Sequence, residues 1–182
     1  NSGILYKKKG KGTFVAKSTS TIDIKNYTGL TDSILASMNP GKRNIVSINE
    51  VVTPNNKIEG IFGAGSVFAE IKHLTACDDN ILALNVSYIP LNLFPDIIKD
   101  IKEDKPSYDI MKGKYPLLPV KTKSSLEVVF TEQSDAQYLH IQTGQPLIKI
   151  ESTLYSKSGQ PVEHIISKYR SDNCVLLFEN SK

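Results

Sequence analysis

A chain of 182 residues, 40% hydrophobic and 23% charged with a formal net charge of +3, suffices for one well-buried domain and is too apolar for a disordered segment. No apolar run reaches the roughly 18 residues of a membrane-spanning helix, and no signal-peptide pattern precedes the first strand. The two cysteines, Cys77 and Cys174, are too isolated to staple a fold or ligate zinc, so a reducing, cytoplasmic setting is expected.

The chain opens on NSGILYKKKGKGTFVAK. Lys7, Lys8, Lys9, Lys11 and Lys17 precede the first acid, Asp23, and without those five charges residues 18–182 carry −2. The basicity is local, which marks one polyanion-touching element on a mildly acidic body. ILYKK, a glycine-containing turn and TFVA predict a hairpin, with Gly3 suited to the left-handed position just past a helix end. GKGT at 10–13 lacks the Gly-x4-Gly-Lys-Ser/Thr spacing of a phosphate loop and leads into a strand. A basic hairpin tip fits contacts to nucleic-acid phosphates, and equally a solvated turn.

Residues 17–29 are polar and read as a linker. LTDSILASMN predicts a short helix capped by Thr31 or Asp32, NIVSINEVVT a strand, and PNNKIEGIFG a helix with Pro54 at its start and Gly63 past its end. SVFAEIKHLTAC and ILALNVSYIP form a hairpin turning at Asp79. That register sets His73 against Asn85 and Thr75 against Ala83, so His73, Thr75, Asn85 and Ser87 share one face; Phe68, Leu74, Leu82, Leu84 and Val86 are expected on the other. FPDIIKDI and SYDIMKGKY predict two short helices, LPVKTKSSLEVVF a long strand, and EQSDAQYLHI a helix ending before Gly144. The last hairpin turns at Ser158 and Gly159 and aligns Glu163, Ile165, Ser167 and Tyr169. Long antiparallel hairpins between short helices give an α+β class.

No Ser-His-Asp order, metal-ligand cluster or close carboxylate pair stands out, and no cofactor or metal is expected. A lone strand histidine such as His73 is more often structural than functional; its sharing a face with Thr75 and Asn85 makes the two readings even. Glu163 by itself reads as a surface charge, and Tyr108 and Tyr169 as core aromatics. His164 alternates away from Glu163, toward packing or solvent.

GILYKKKGKGTFVAK resembles the wing and exit strand of the winged helix-turn-helix in GntR-family bacterial transcription regulators. The ordered series GLTDSILASM, NVSYIPLNLFPDI, SYDIM and YLHIQTGQPLIKIESTLYSKSGQPVEHIISKYRSD resembles the effector-binding UTRA domain of the HutC subfamily. The resemblance implies three parts: a wing hairpin at 1–16 that closes a truncated DNA-binding domain, a linker at 17–29 and a UTRA-like domain at 30–182 with a chorismate-lyase-like fold. It implies a repressor that binds operator DNA as a homodimer, with Lys8, Lys9, Lys11 and Thr13 on the DNA side and a small-molecule effector on the open sheet face. Matched to the family pattern, Glu163 binds ligand hydroxyl or amino groups, Tyr169 and Tyr108 line the pocket, and Thr31 and Ser33 supply the loop that takes an anion. His73, Thr75 and Asn85 stand where members responding to phosphosugars carry Arg-x-Arg and Glu, so a sugar, amino acid or other metabolite is expected before a phosphosugar. The alternative is a chorismate-lyase-like enzyme. Arginine occurs only at positions 43 and 170, which leaves few donors for that substrate's carboxylates.

Overall fold

The computed structural model describes residues 5–8, 12–15, 20–23, 41–52, 55–77, 80–101 and 107–177. Its centre is a six-stranded antiparallel sheet in the order β4-β5-β6-β9-β8-β7. The strands are β4 (Gly41–Val52), β5 (Val67–Cys77), β6 (Asn80–Pro90), β7 (Pro119–Phe130), β8 (Pro146–Ser156) and β9 (Pro161–Arg170). Each was expected as a strand, because β-branched and apolar residues alternate along them between Gly, Pro and Asp turns. At the chain start β1 (Leu5–Lys8) pairs antiparallel with β2 (Gly12–Val15), the expected hairpin.

Four short helices lie among the described residues: α1 (Asn56–Phe62), α2 (Ile97–Asp100), α3 (Ser107–Lys114) and α4 (Gln133–Leu139). Helix α1 starts two residues later than Pro54. Asn55 is its cap, its side-chain oxygen accepting from the backbone N–H of Lys57 and Ile58 at 3.1 Å each. Gly63, at φ 96°, returns its N–H to Glu59, a backbone shape that only glycine adopts cheaply. The helix predicted over LTDSILASMN lies outside the described residues.

Alternation gives the sheet two differently covered faces. On face A, helices α2 and α3 bring Ile97, Ile110 and Met111 onto Ala69, Ile71, Ile89, Leu154 and Ile165. On face B, α1 packs Ile58 and Phe62 against Phe68 and Tyr88, with Phe62 and Phe68 edge-to-face at 5.1 Å, while α4 sets Leu139 on Leu84 and Leu147. Full burial of a side chain such as Phe68 or Ile71 contributes about 1.5–3 kcal/mol, which fixes the strand register through the faces it assigns.

Two expectations change. The β5–β6 pairing holds His73 against Asn85 and Thr75 against Ala83, but a bulge follows, with Ala76 opposite Ile81. The extra residue, Leu82, turns to face A and packs with Ala83, Ile150, Tyr169 and Cys174 instead of joining Leu74 and Leu84. Within the segment read as a linker, β3 (Ser20–Asp23) pairs in parallel with β10 (Cys174–Leu177). Thr21 and Ile22 supply the β-branched pair that such a strand favours.

Candidate functional site

Face A carries a patch of polar residues that the fold has sealed from solvent. One cross-strand row runs Arg43, Thr75, Ala83, Tyr169, and the next runs Ile45, His73, Asn85, Ser167, Ile150. His73, Thr75, Asn85 and Ser167 are each no more than 2% exposed, and Arg43 is 6% exposed. These rows exist because five strands place the same alternation phase on one face.

Hydrogen bonding inside the patch is incomplete. Asn85 donates to the Thr75 hydroxyl at 3.0 Å and, more weakly, to the His73 carbonyl at 3.5 Å. Both ring nitrogens of His73, the Asn85 side-chain oxygen and the Ser167 hydroxyl have no partner among the described residues. Buried polar groups are satisfied in the great majority of cases, and leaving one unmet costs about 1–3 kcal/mol. Three orphaned side chains that are successive neighbours in one row therefore single this patch out as a candidate binding site.

Charge accompanies them. Glu163, also buried, accepts a short hydrogen bond from the Ser87 hydroxyl. Burial pushes its carboxyl above the usual range, while the Ser87 hydrogen bond and the Arg43 charge pull it back. Burial, with the Arg43 charge second, holds the His73 imidazole well below the ordinary histidine range, so it is neutral near pH 7. Arg43 thus acts electrostatically on both groups. The face offers a guanidinium, a neutral imidazole, hydroxyls, an amide and a carboxyl, a set able to take an anionic group at one end and hydroxyl or amino groups at the other.

Of the expected residues, the structure brings His73, Thr75, Asn85, Glu163 and Tyr169 onto this face. Tyr169 is fully buried against Leu82, Ile150 and Cys174. Tyr108 lies in helix α3 and Lys8 and Thr13 lie in the first hairpin, with their backbones alone described. Thr31, Ser33, Lys9 and Lys11 lie outside the described residues. Sequence reasoning missed Arg43 as a member. Its place needs the β4–β5 register, which contains its own irregularity between Ile45 and Ser47; the alternation of Arg43 with Ile45 was the available signal. Ser167 was on the expected face yet not chosen.

Face B is polar too, but its groups are matched. A cleft of about 430 Å³ opens between α1 and α4, and its lysines all face carboxylates or rings. Lys168 meets Asp135 at 2.6 Å, Lys149 meets Glu151 at 2.7 Å and Glu127 at 2.8 Å, and Lys72 sits 5.1 Å over the Tyr138 ring. Lys57 also pairs with Glu151. His164 bonds Thr153 at 2.9 Å, and burial lowers its imidazole to about 4. Among the described residues no group of three or more His, Cys, Asp or Glu is placed to hold a metal.

Known proteins are similar to this chain in sequence and fold. The UTRA domain family model matches residues 42–174. The chain is 30% identical over 176 residues to the HTH-type transcriptional repressor NagR of Bacillus subtilis, covering 94% of this chain and 71% of that protein. It is 27% identical over 161 residues to the HTH-type transcriptional regulator YurK of the same species, covering 88% of this chain and 66% of that one. The crystal structure of PhnF from Mycobacterium smegmatis superposes with a TM-score of 0.82 at 14% identity, over 97% of this chain and 78% of that one, and so speaks for the fold. The chain belongs to the UTRA domain family, the effector-binding part of GntR-family transcriptional regulators.

Proposed function

We propose that this chain is the sensor of a repressor, in which a small anionic, hydroxylated or amino-bearing metabolite occupies face A and weakens operator binding. The row of orphaned polar groups on His73, Asn85 and Ser167 carries the reading. In this arrangement Arg43 meets the anionic end, Glu163 reads hydroxyl or amino groups, and His73, Thr75, Asn85, Ser167 and Tyr169 fix the orientation. Arg43 also reopens the question of a phosphorylated effector, since a guanidinium stands on this face although none stands at 73 or 75. Tyr108, Thr31 and Ser33 complete the pocket on the strength of the family pattern.

The first hairpin acts as the wing of a DNA reader within residues 1–16, with Lys8, Lys9, Lys11 and Thr13 toward phosphates; residues 17–29 connect it to the sensor at 30–182. The regulator works as a homodimer in the cytoplasm, and it senses its small molecule without transforming it. Coupling follows from linkage: the effector lowers operator affinity only by the ratio of its affinities for the two arrangements.

A thermal-shift panel tests this with phosphosugars, unphosphorylated sugars, amino acids, other carboxylates and chorismate, each checked by mass for conversion. A true effector at a hundredfold excess over Kd stabilises by about 2.7 kcal/mol. The expected result is one responding class whose shift disappears in Glu163→Ala, with the compound recovered intact. Consumption of chorismate, or a shift indifferent to both Glu163→Ala and Arg43→Ala, overturns the reading.

A further inference from the structure

Helices α1 and α4 cover face B at its two ends and leave its middle open. Helix α1 packs on Phe68 and Tyr88, α4 on Leu84 and Leu147, and between them lies the cleft of about 430 Å³, a volume ordinary for a small-molecule site. Its floor belongs to β6 and β9, the two central strands of the six. Val86 and Ile166 pair across those strands and are only half-buried, so apolar surface whose burial would be favourable faces the cleft.

One cross-strand row crosses that floor in the order Lys72, Val86, Ile166, Glu151. Its two ends are treated differently. Glu151 is held by Lys57 and Lys149, and Lys168 in the neighbouring row is held by Asp135. Lys72 has the Tyr138 ring at 5.1 Å and, among the described residues, no carboxylate within ion-pair reach. Contact with a ring face supplies no hydrogen-bond acceptor of carboxylate strength, so the ammonium keeps donors to offer. Strands lie about 4.8 Å apart, which puts Ile166 two spacings from Lys72, the reach of one ring on a short stem. Tyr88 and Tyr138 line the same cleft.

We propose that this cleft is a second ligand site, for a small monocarboxylate with an aromatic or branched apolar body. The carboxylate accepts from the Lys72 Nζ, and the body covers Val86 and Ile166. One cation without a counter-ion suits one negative charge, and the exposed Glu132 at the rim disfavours a more highly charged anion such as phosphate. The site stands back to back with face A through consecutive residues, Lys72 beside His73 and Val86 beside Asn85. It shares no side chain with that face and holds whether or not an effector binds there.

Methyl NMR titration of the whole chain with phenylacetate tests it. Phenylacetate is expected to shift the Val86 and Ile166 methyls saturably while Ile150, on face A, stays in place. Lys72→Gln is expected to weaken that binding about tenfold, the loss of one charge-assisted contact, and Lys72→Arg to retain it. Phenylacetamide, the same body without the charge, is expected to bind the parent about tenfold more weakly than phenylacetate. Methyls of Val86 and Ile166 that do not respond at about 10 mM phenylacetate, or shifts confined to Ile150, overturn the site. Equal affinity in Lys72→Gln, equal affinity for phenylacetamide, or loss in Lys72→Arg as well overturns the role of the lysine charge, and with it the monocarboxylate.

Discussion

Both faces of the sheet carry polar side chains drawn at least partly from water, and they treat them oppositely. On face B the buried charges are paired, Lys168 with Asp135 and Glu151 with Lys149 and Lys57, and His164 bonds Thr153. On face A the row His73, Asn85, Ser167 is left incomplete beside a shielded carboxyl. Burial of polarity does not by itself mark function; unmet hydrogen-bonding capacity does. Face B uses polarity to hold helices α1 and α4, whereas face A leaves hydrogen-bonding capacity unused.

That contrast is open to attack by substitution. The largest effect is expected from Asp135→Ala, which strands Lys168 in a three-quarters buried position; the loss is about 2–3 kcal/mol, read as a lowered denaturation midpoint. Next, Thr153→Val removes the partner of His164 and costs about 1–2 kcal/mol. A pH series accompanies it. The folded-state value of His164 lies near 4, below the unfolded 6.5, so the unfolded chain binds the proton more readily and stability declines as pH falls between those values. His164→Gln flattens that decline.

A smaller change of opposite sign is expected from Glu163→Gln. Its folded value is raised, so its contribution is present at pH below the unfolded range near 4.5 and is lost as pH rises through the folded value. The variant without effector therefore gains stability at pH 7 relative to the parent while losing the effector response. Smallest of all, Ser167→Ala alters the midpoint of the effector-free chain by no more than about 0.5 kcal/mol, since it deletes an unmatched hydroxyl, yet it reduces the effector shift. A loss as large as that of Asp135→Ala would show that face A is built like face B.

Much of face A was legible in the chain. The expected pairing of His73 with Asn85 holds, although strand β5 meets β6 with Cys77 opposite Asn80 and it is the bulge at Leu82 that restores that register; alternation through PVEHIISKYR placed Glu163, Ser167 and Tyr169 together. Leu82 was misplaced because a bulge is a one-residue local choice that leaves no mark on the period. Arg43 escaped because its role depends on pairing with a strand some thirty residues away, across an irregularity of its own. The matched charges of face B were likewise invisible: Lys168 and Asp135 come from strand and helix, and no spacing rule links them. Family resemblance supplied roles for Glu163 and Tyr169 that their residue types alone did not.

One thiol sits where these parts converge. Cys174 opens β10, opposite Ser20 in β3, and packs on Leu82 and Tyr169 at the end of face A. Burial drives its thiol up to about 12, and almost none of it is exposed or ionised near neutrality, so the sulfur is chemically silent while the arrangement lasts. A local opening that parts Cys174 from Leu82 and Tyr169 uncovers that sulfur. The molecule thus carries an internal stopwatch: the rate at which Cys174 consumes an alkylating reagent counts the openings of its packing on Leu82 and Tyr169, without any label being added.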